Sequence, residues 1–227
     1  MSDQQHASTH QHEGADPGAI HFTQEFWDDR YGSADAIWSG RPNAQLVSTV
    51  AGLPAGSALD VGCGEGADAI WLAGLGWRVL GVDVSSVALG RSARQAATVG
   101  GEVAARIAWQ QVDALSWQPE PASFDLVSAQ FMYLAPDDLA RLHRRLAAAV
   151  RPGGLLLIVG HHPSDLALVG RPPEMARLMF TAEEVAARLD PQQWQDVSAT
   201  TVPREGTLPD GSTATLHDTV LRATRRS

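Results

Sequence analysis

Asp60 stands two residues ahead of the alternating glycines Gly62, Gly64 and Gly66 in the stretch ALDVGCGEG (58–66), and Asp83 follows 21 residues after Gly62 in VLGVDVS. Glycines after an apolar run let a ligand approach the backbone closely. A carboxylate at the end of the next apolar run can accept hydrogen bonds from both hydroxyls of a ribose, each worth about 1.5–3 kcal/mol. Together these residues describe a nucleoside site at the carboxyl edge of a parallel sheet. GCGEGA also fits the loose dinucleotide pattern G-x-G-x-x-G/A, so charge has to separate the candidate ligands. A pyrophosphate at a helix N-terminus is repelled by nearby carboxylates, and here Asp60 precedes the turn while Glu65 opens the helix. A like-charge pair ~4 Å apart costs roughly 1 kcal/mol in water and roughly 4 in a partly screened site. The loop therefore favours a ligand with a cation at this end and no phosphate.

The elements that hold these residues follow from periodicity. A strand near 57–61 leads into a helix near 66–75, and WRVLGVDV gives a second strand before a helix over 86–99. RIAWQQVDA and FDLVSAQ supply a third and fourth strand, residues 137–150 a helix, and GLLLIVGHH a fifth strand. Strands alternating with helices imply a parallel sheet covered on both faces. After a helix over 181–189 begun by Thr181, the strands WQDVSATTVPRE and STATLHDTVLRAT flank the turn LPDG and make an antiparallel pair. The expected fold is α/β, a Rossmann-like sheet of seven strands with five parallel and a C-terminal antiparallel pair. Upstream, FTQEFWDDRYGSADAIWSGRPNAQLVSTV (22–50) suggests two short helices capped by Thr23 and Asn43.

Composition limits the rest. A chain of 227 residues, 44% of them apolar, suits one domain over 21–227. Residues 1–20, with His6, His10 and His12 among Gln, Ser, Gly and Asp, are expected to form a disordered tail. The net charge of −9 gives no attraction for a polyanion, so nucleic acid is not an expected partner. All seventeen basic residues are arginine, which excludes a Walker-type phosphate loop and lysine Schiff-base chemistry. No apolar run approaches the roughly 20 residues of a membrane span, and the polar N-terminus has no secretion-signal pattern. The expectation is a cytoplasmic protein that does not engage a membrane. Its single cysteine, Cys63, excludes an intrachain disulfide and a multi-cysteine metal site. No metal is expected.

A cation beside an adenosine is the character of S-adenosylmethionine, and here the chain resembles class I S-adenosylmethionine-dependent methyltransferases. LDVGCGEG is similar to the family's D-x-G-x-G-x-G motif. The resemblance implies that Asp60, Gly62, Cys63 and Gly64 line the methionine portion, with Asp83 at the ribose and Val84 beside the adenine. It likewise implies Asp113 and Ala114 at the adenine amino group, and Gln130 and Phe131 next to the cofactor. The 21–50 segment resembles the N-terminal lid of the small-molecule thiopurine, thiol and tellurite-resistance group. By that likeness Trp27, Tyr31 and Trp38 close over the cofactor, with Arg41 on the rim.

Methyl transfer from a sulfonium is an in-line displacement that needs chiefly proximity and alignment, and a base only where the acceptor must lose a proton early. His161 and His162, at the carboxyl end of the fifth strand, are the candidate bases, and Tyr133 could orient an acceptor. His143 is expected at the surface between two arginines, His217 is expected to face solvent, and Cys63 is read as structural. The loop PSDLALVGRPPEMARLMF (163–180) is a second lid candidate. The expected activity moves a methyl group from S-adenosylmethionine to a small thiol, chalcogen oxyanion or hydroxyl acceptor, leaving S-adenosylhomocysteine. A non-catalytic binder of S-adenosylmethionine and a nicotinamide-dependent oxidoreductase remain open.

Overall fold

The computed structural model describes residues 22–227, and the expected tail at 1–20 lies outside them. Two short helices come first, α1 (Gln24–Gly32) and α2 (Ala44–Val50). The side chains of Thr23 and Asn43 cap them by accepting from the amides of Phe26 and Gln45. Strands and helices then alternate: β1 (Ser57–Val61), α3 (Ala67–Gly74), β2 (Arg78–Asp83), α4 (Ser86–Val99), α5 (Gly101–Ala104), β3 (Ile107–Gln111), β4 (Phe124–Gln130), α6 (Pro136–Ala149) and β5 (Val150–His161). After two 3₁₀ turns, Pro163–Asp165 and Pro173–Leu178, come α7 (Ala182–Ala186), β6 (Trp194–Thr207) and β7 (Thr213–Arg225).

The sheet order is β3-β2-β1-β4-β5-β7-β6. β1 to β5 pair in parallel, while β7 runs antiparallel to both β5 and β6. The chain order reverses between β1 and β4, which places a crevice at the carboxyl ends of those strands. The hairpin turns through LPDG, where Leu208 donates to Ser212 and Gly211 takes a φ of 85°. Pro203 fits inside β6 because that strand is at the edge, where a missing donor breaks no ladder.

Both faces of the sheet are covered. Along β5, Leu156 and Ile158 join one buried cluster with Leu142 and Leu146 of α6, while Leu155, Leu157 and Val159 join another with Leu46 of α2 and Leu72 of α3. The period-two alternation of a strand thus feeds two cores. No described helix is long and apolar enough to cross a membrane.

His143 departs from its expected surface position. It lies one turn after Leu139 on the inner stripe of α6, is 4% exposed, and meets the Phe180 ring edge-on at 5.4 Å. Burial, assisted by the charge of Arg188, brings its pKa down to about 4. Its flanking arginines are no guide to its surroundings, because helical neighbours three and four residues away decide which face is buried. His217 also departs from the solvent-facing reading. Asp165 accepts hydrogen bonds from its backbone amide and pairs with its ring Nδ1 at 2.9 Å.

Candidate functional site

The turn after β1 is fixed by two hydrogen bonds, from the amides of Gly62 and Cys63 to the carbonyl of Val82, at 2.8 and 3.0 Å. Gly62 and Gly64 take φ angles of 70° and 54°, conformations an L side chain rarely adopts. A Cβ on Gly62 would lie 2.4 Å from Met132 Sδ, and one on Gly64 would lie 2.8 Å from Tyr31 Oη. The glycines are therefore needed both for the turn and for the approach of β4 and α1. Asp83 braces the same turn: its Oδ2 accepts from the Gly64 amide at 2.8 Å and its Oδ1 from the Ser85 amide at 2.9 Å.

Three carboxylates gather beneath the loop. Asp60 is 3% exposed, and burial, together with the charges of Asp68 and Asp83, pushes its pKa well up. Burial also raises Asp68 to about 6, and raises Asp83 against the hydrogen bonds of Ser85 and Gly64. Asp68, in the first turn of α3, accepts from the Asn43 amide at 2.6 Å and from Gln130 Nε2 at 2.5 Å. Two buried acceptors, Asp60 Oδ2 and Gln130 Oε1, have no partner among the described residues. An unsatisfied buried acceptor costs about 1–3 kcal/mol. A primary ammonium, with three donors and a positive charge, would satisfy both acceptors and relieve the repulsion among the acids. That requirement fits the methionine end of S-adenosylmethionine and opposes a phosphate. Among the described residues no group of His, Cys, Asp and Glu is arranged to hold a metal ion.

Glu65 has a different place from the one its sequence position suggests. Its carboxylate accepts from the amides of Ile37 and Trp38, at 3.1 Å each, and pairs with Arg91 at 2.8 Å. It ties the segment between α1 and α2 to the glycine turn instead of adding charge to the ligand crevice. On that segment Trp38 Nε1 donates to Tyr31 Oη at 3.0 Å, and Trp27 packs between Phe22 and Tyr31. Asp28, also on α1, accepts from Ser85 Oγ at 2.6 Å, so α1 is fastened just beyond the end of β2 as well. Tyr31 is buried and Trp38 is half-exposed.

The remaining candidates occupy neighbouring strand ends. Asp113 follows β3, is exposed, and accepts from the Leu115 amide through Oδ1. Arg145 of α6 donates to the carbonyl of Ala114 at 2.7 Å, and Gln111 to that of Val84 at 3.0 Å. At the end of β4 Phe131 takes a φ of 53°, which for a bulky residue costs of order 1–3 kcal/mol. Its ring lies 4.4 Å from that of His161. The structure separates the two adjacent histidines. His161 stacks toward Phe131 and Tyr133, whereas His162 accepts from the Ser164 amide to cap the turn that follows.

Beside His161 opens a cavity of about 380 Å³, bounded by Asp165, Val169, Arg171, Met179, Arg204, Leu208, Pro209 and Leu216. Arg204 Nη2 lies 3.3 Å from His161 Nδ1, and Arg171 donates to Tyr133 Oη at 2.5 Å. Burial and the charges of these two arginines depress the His161 pKa to about 4. The ring is neutral at pH 7. Because Arg204 can only donate, Nδ1 is the acceptor and the proton sits on Nε2.

Sequence reasoning missed Asp68, Met132, Arg171 and Arg204. For Asp68 a signal existed: it extends the every-second-residue spacing of Gly62, Gly64 and Gly66 into the first helical turn. The other three are brought in by the fold from the segment just after β4, the 163–180 loop and β6, and no local pattern marks them.

The chain matches a methyltransferase-domain family over residues 58–154. It is 30% identical over 156 residues to a probable thiol methyltransferase 2 of Arabidopsis thaliana, covering 66% of this chain and 67% of that protein. It is 34% identical over 139 residues to a ubiquinone biosynthesis O-methyltransferase of Albidiferax ferrireducens, covering 60% of this chain and about half (54%) of that protein. A solved structure concerned with the conversion of a disulfide bond into a thioacetal group during echinomycin biosynthesis superposes with a TM-score of 0.68 at 26% identity, covering 89% of this chain and 92% of that one. With its glycine turn, its buried acids and the orphaned acceptors at their centre, this chain belongs to the S-adenosylmethionine-dependent methyltransferases.

Proposed function

We propose that the protein methylates a small-molecule nucleophile, with sulfur the favoured acceptor atom, in the cavity beside His161. The observation that carries this reading is the cavity itself. At about 380 Å³ it has room for a small metabolite, and it is lined by His161, at the carboxyl end of β5, whose ring packs beside those of Phe131 and Tyr133 just beyond β4. The thiol methyltransferase named above and the thioacetal-forming structure support sulfur, while the O-methyltransferase relative keeps a hydroxyl as the second choice.

S-adenosylmethionine supplies an activated methyl group on a positively charged sulfur. The chain's contribution is to hold and orient. Asp60, Asp68 and Gln130 bind the ammonium, Asp83 the ribose, and Gly62, Cys63, Gly64 and Met132 shape the floor. Val84, Asp113 and Ala114 border the adenine. Trp27, Tyr31 and Trp38, in a lid spanning 21–50, exclude water above the site, and Phe131 separates cofactor from acceptor. His161 offers its Nε2–H to the acceptor instead of taking a proton, because Nδ1 is engaged by Arg204. Tyr133, whose oxygen accepts from Arg171, directs its own hydroxyl proton to the acceptor. His162 supports the turn that shapes the cavity. A thiol of pKa about 8.5 loses its proton to solvent readily enough to need no base in the protein.

The test is transfer of labelled methyl from S-adenosylmethionine across matched thiol, alcohol and amine panels. Thiols should dominate turnover, and His161→Gln, which keeps a donor, should retain more of it than His161→Leu. Turnover confined to alcohols, with the acidic limb of its pH profile lost in both variants, would reject the sulfur reading and return His161 to the role of base.

A further inference from the structure

Two arginines project into the cavity of a protein whose net charge is −9. They come from separate elements, Arg171 from the 163–180 loop and Arg204 from β6, so their meeting is a product of the fold. Arg204 is braced by Asp218, its Nε donating to Oδ1 at 2.8 Å, and reaches His161 through Nη2. Arg171 donates one Nη1 bond to Tyr133, lies 5.3 Å from the centre of that ring, and pairs with no carboxylate among the described residues. The one carboxylate lining the cavity, Asp165, is already bonded by the amide and ring of His217 and by Ser164 Oγ. Both arginine charges are felt at His161 and at Tyr133, which they pull toward lower pKa values against the effect of burial on the tyrosine. Val169, Met179, Leu208, Pro209 and Leu216 supply the apolar part of the wall, with Thr207 the one further polar residue lining it.

We propose that this cavity selects acceptors bearing an anionic group, a carboxylate foremost, which Arg171 binds with Arg204 beside it while the apolar wall holds the acceptor's body. This inference rests on the small-acceptor reading above and narrows it. Planar guanidinium groups match a carboxylate with two parallel hydrogen bonds. Anchoring the anion at Arg171 leaves the reactive atom to be aimed past Tyr133 and His161 toward the end of β4, where Phe131 stands. The same cations favour ionisation of a thiol held nearby, since an adjacent positive charge lowers thiol pKa.

The experiment compares 3-mercaptobenzoate with its neutral amide, 3-mercaptobenzamide, in labelled methyl transfer, alongside calorimetric binding of benzoate and benzamide to the S-adenosylhomocysteine complex. The expected result is a kcat/KM at least about tenfold higher for the acid, the size of one charged hydrogen bond. That preference should collapse in Arg171→Gln, survive partly in Arg171→Lys, and leave S-adenosylhomocysteine affinity unchanged in both. Arg171 is the residue to vary, because removing Arg204 would strand the buried Asp218. If acid and amide are methylated equally by the wild-type protein, the anion proposal is overturned while the sulfur reading stands. If neither is methylated but benzoate binds at least tenfold tighter than benzamide, the anion site stands and the sulfur reading falls. Absence of both turnover and preferential binding rejects both.

Discussion

Asp68 occupies the position at which charge, burial and ligand chemistry meet. It is mostly buried, holds Asn43 and Gln130 by hydrogen bonds, and shares its surroundings with Asp60. Its folded pKa of about 6 lies above the unfolded value of about 3.9. The ligand-free fold therefore binds this proton more tightly than the unfolded chain does. That contribution to stability is fully present below about pH 4 and is lost as pH rises through about 6. Binding an ammonium requires the opposite state, the free carboxylate. S-adenosylhomocysteine affinity, measured by calorimetry, should fall as pH drops from 7 to 5 and the Asp60 and Asp68 carboxyls take up protons again. Asp68→Asn should bind more weakly at pH 7 and show a shallower profile, and a flat profile in the wild-type protein would remove the carboxylate cluster from ligand binding. At this scale the sequence was informative where a residue acts through its neighbours in a turn, as Gly62 does, while it gave no sign that Asp83 braces that turn through the Gly64 amide. It was silent on Arg171 and Met132, which are brought in by distant segments, and misleading on Glu65, whose charge is turned toward the segment between α1 and α2.

Elements were more legible than side chains. β4 and α4 keep the bounds that their apolar patterns suggest, and the caps at Thr23, Asn43 and Thr181 all form, the last as a reciprocal capping box with Glu184. Helix α5 has no signature in the sequence, because its four residues carry no apolar period and begin at Gly101 after Gly100. The segment between α1 and α2 has no periodicity to bury a face. It is held from outside, by Glu65 and Arg91, with the Arg91 side chain also donating to the carbonyl of Ala34. Hydrogen bonds to a charged partner contribute about 1.5–3 kcal/mol each. Glu65→Ala should therefore speed S-adenosylhomocysteine dissociation by about tenfold or more, read by stopped flow. Amide exchange should accelerate at Ile37 and Trp38 while protection in β1 and β4 is kept. Unchanged dissociation with accelerated exchange would mean that this segment does not gate the cofactor.

At the scale of the molecule, the sheet's position between two cores sets how rigidly the site is held. Leu156 and Leu157 are consecutive, both fully buried, and belong to different clusters on opposite faces of β5. In a sheet with one wet face, one of the two would tolerate truncation; here both faces are packed. Leu156→Ala and Leu157→Ala should each cost about 2–5 kcal/mol by urea unfolding, through lost burial plus the cavity left behind. Because the two side chains serve separate cores, the double variant should approach the sum of the single costs, and a large positive or negative coupling would mean that the backbone of β5 transmits strain between the faces. Neither side chain reaches the carboxyl edge, where the strand ends at His161. Folded fractions of both variants should accordingly bind S-adenosylhomocysteine with wild-type affinity. A loss of affinity in only one variant would identify the face whose packing positions the glycine turn, and it is the cluster containing Leu72 of α3, the helix that carries Asp68, that has the direct connection.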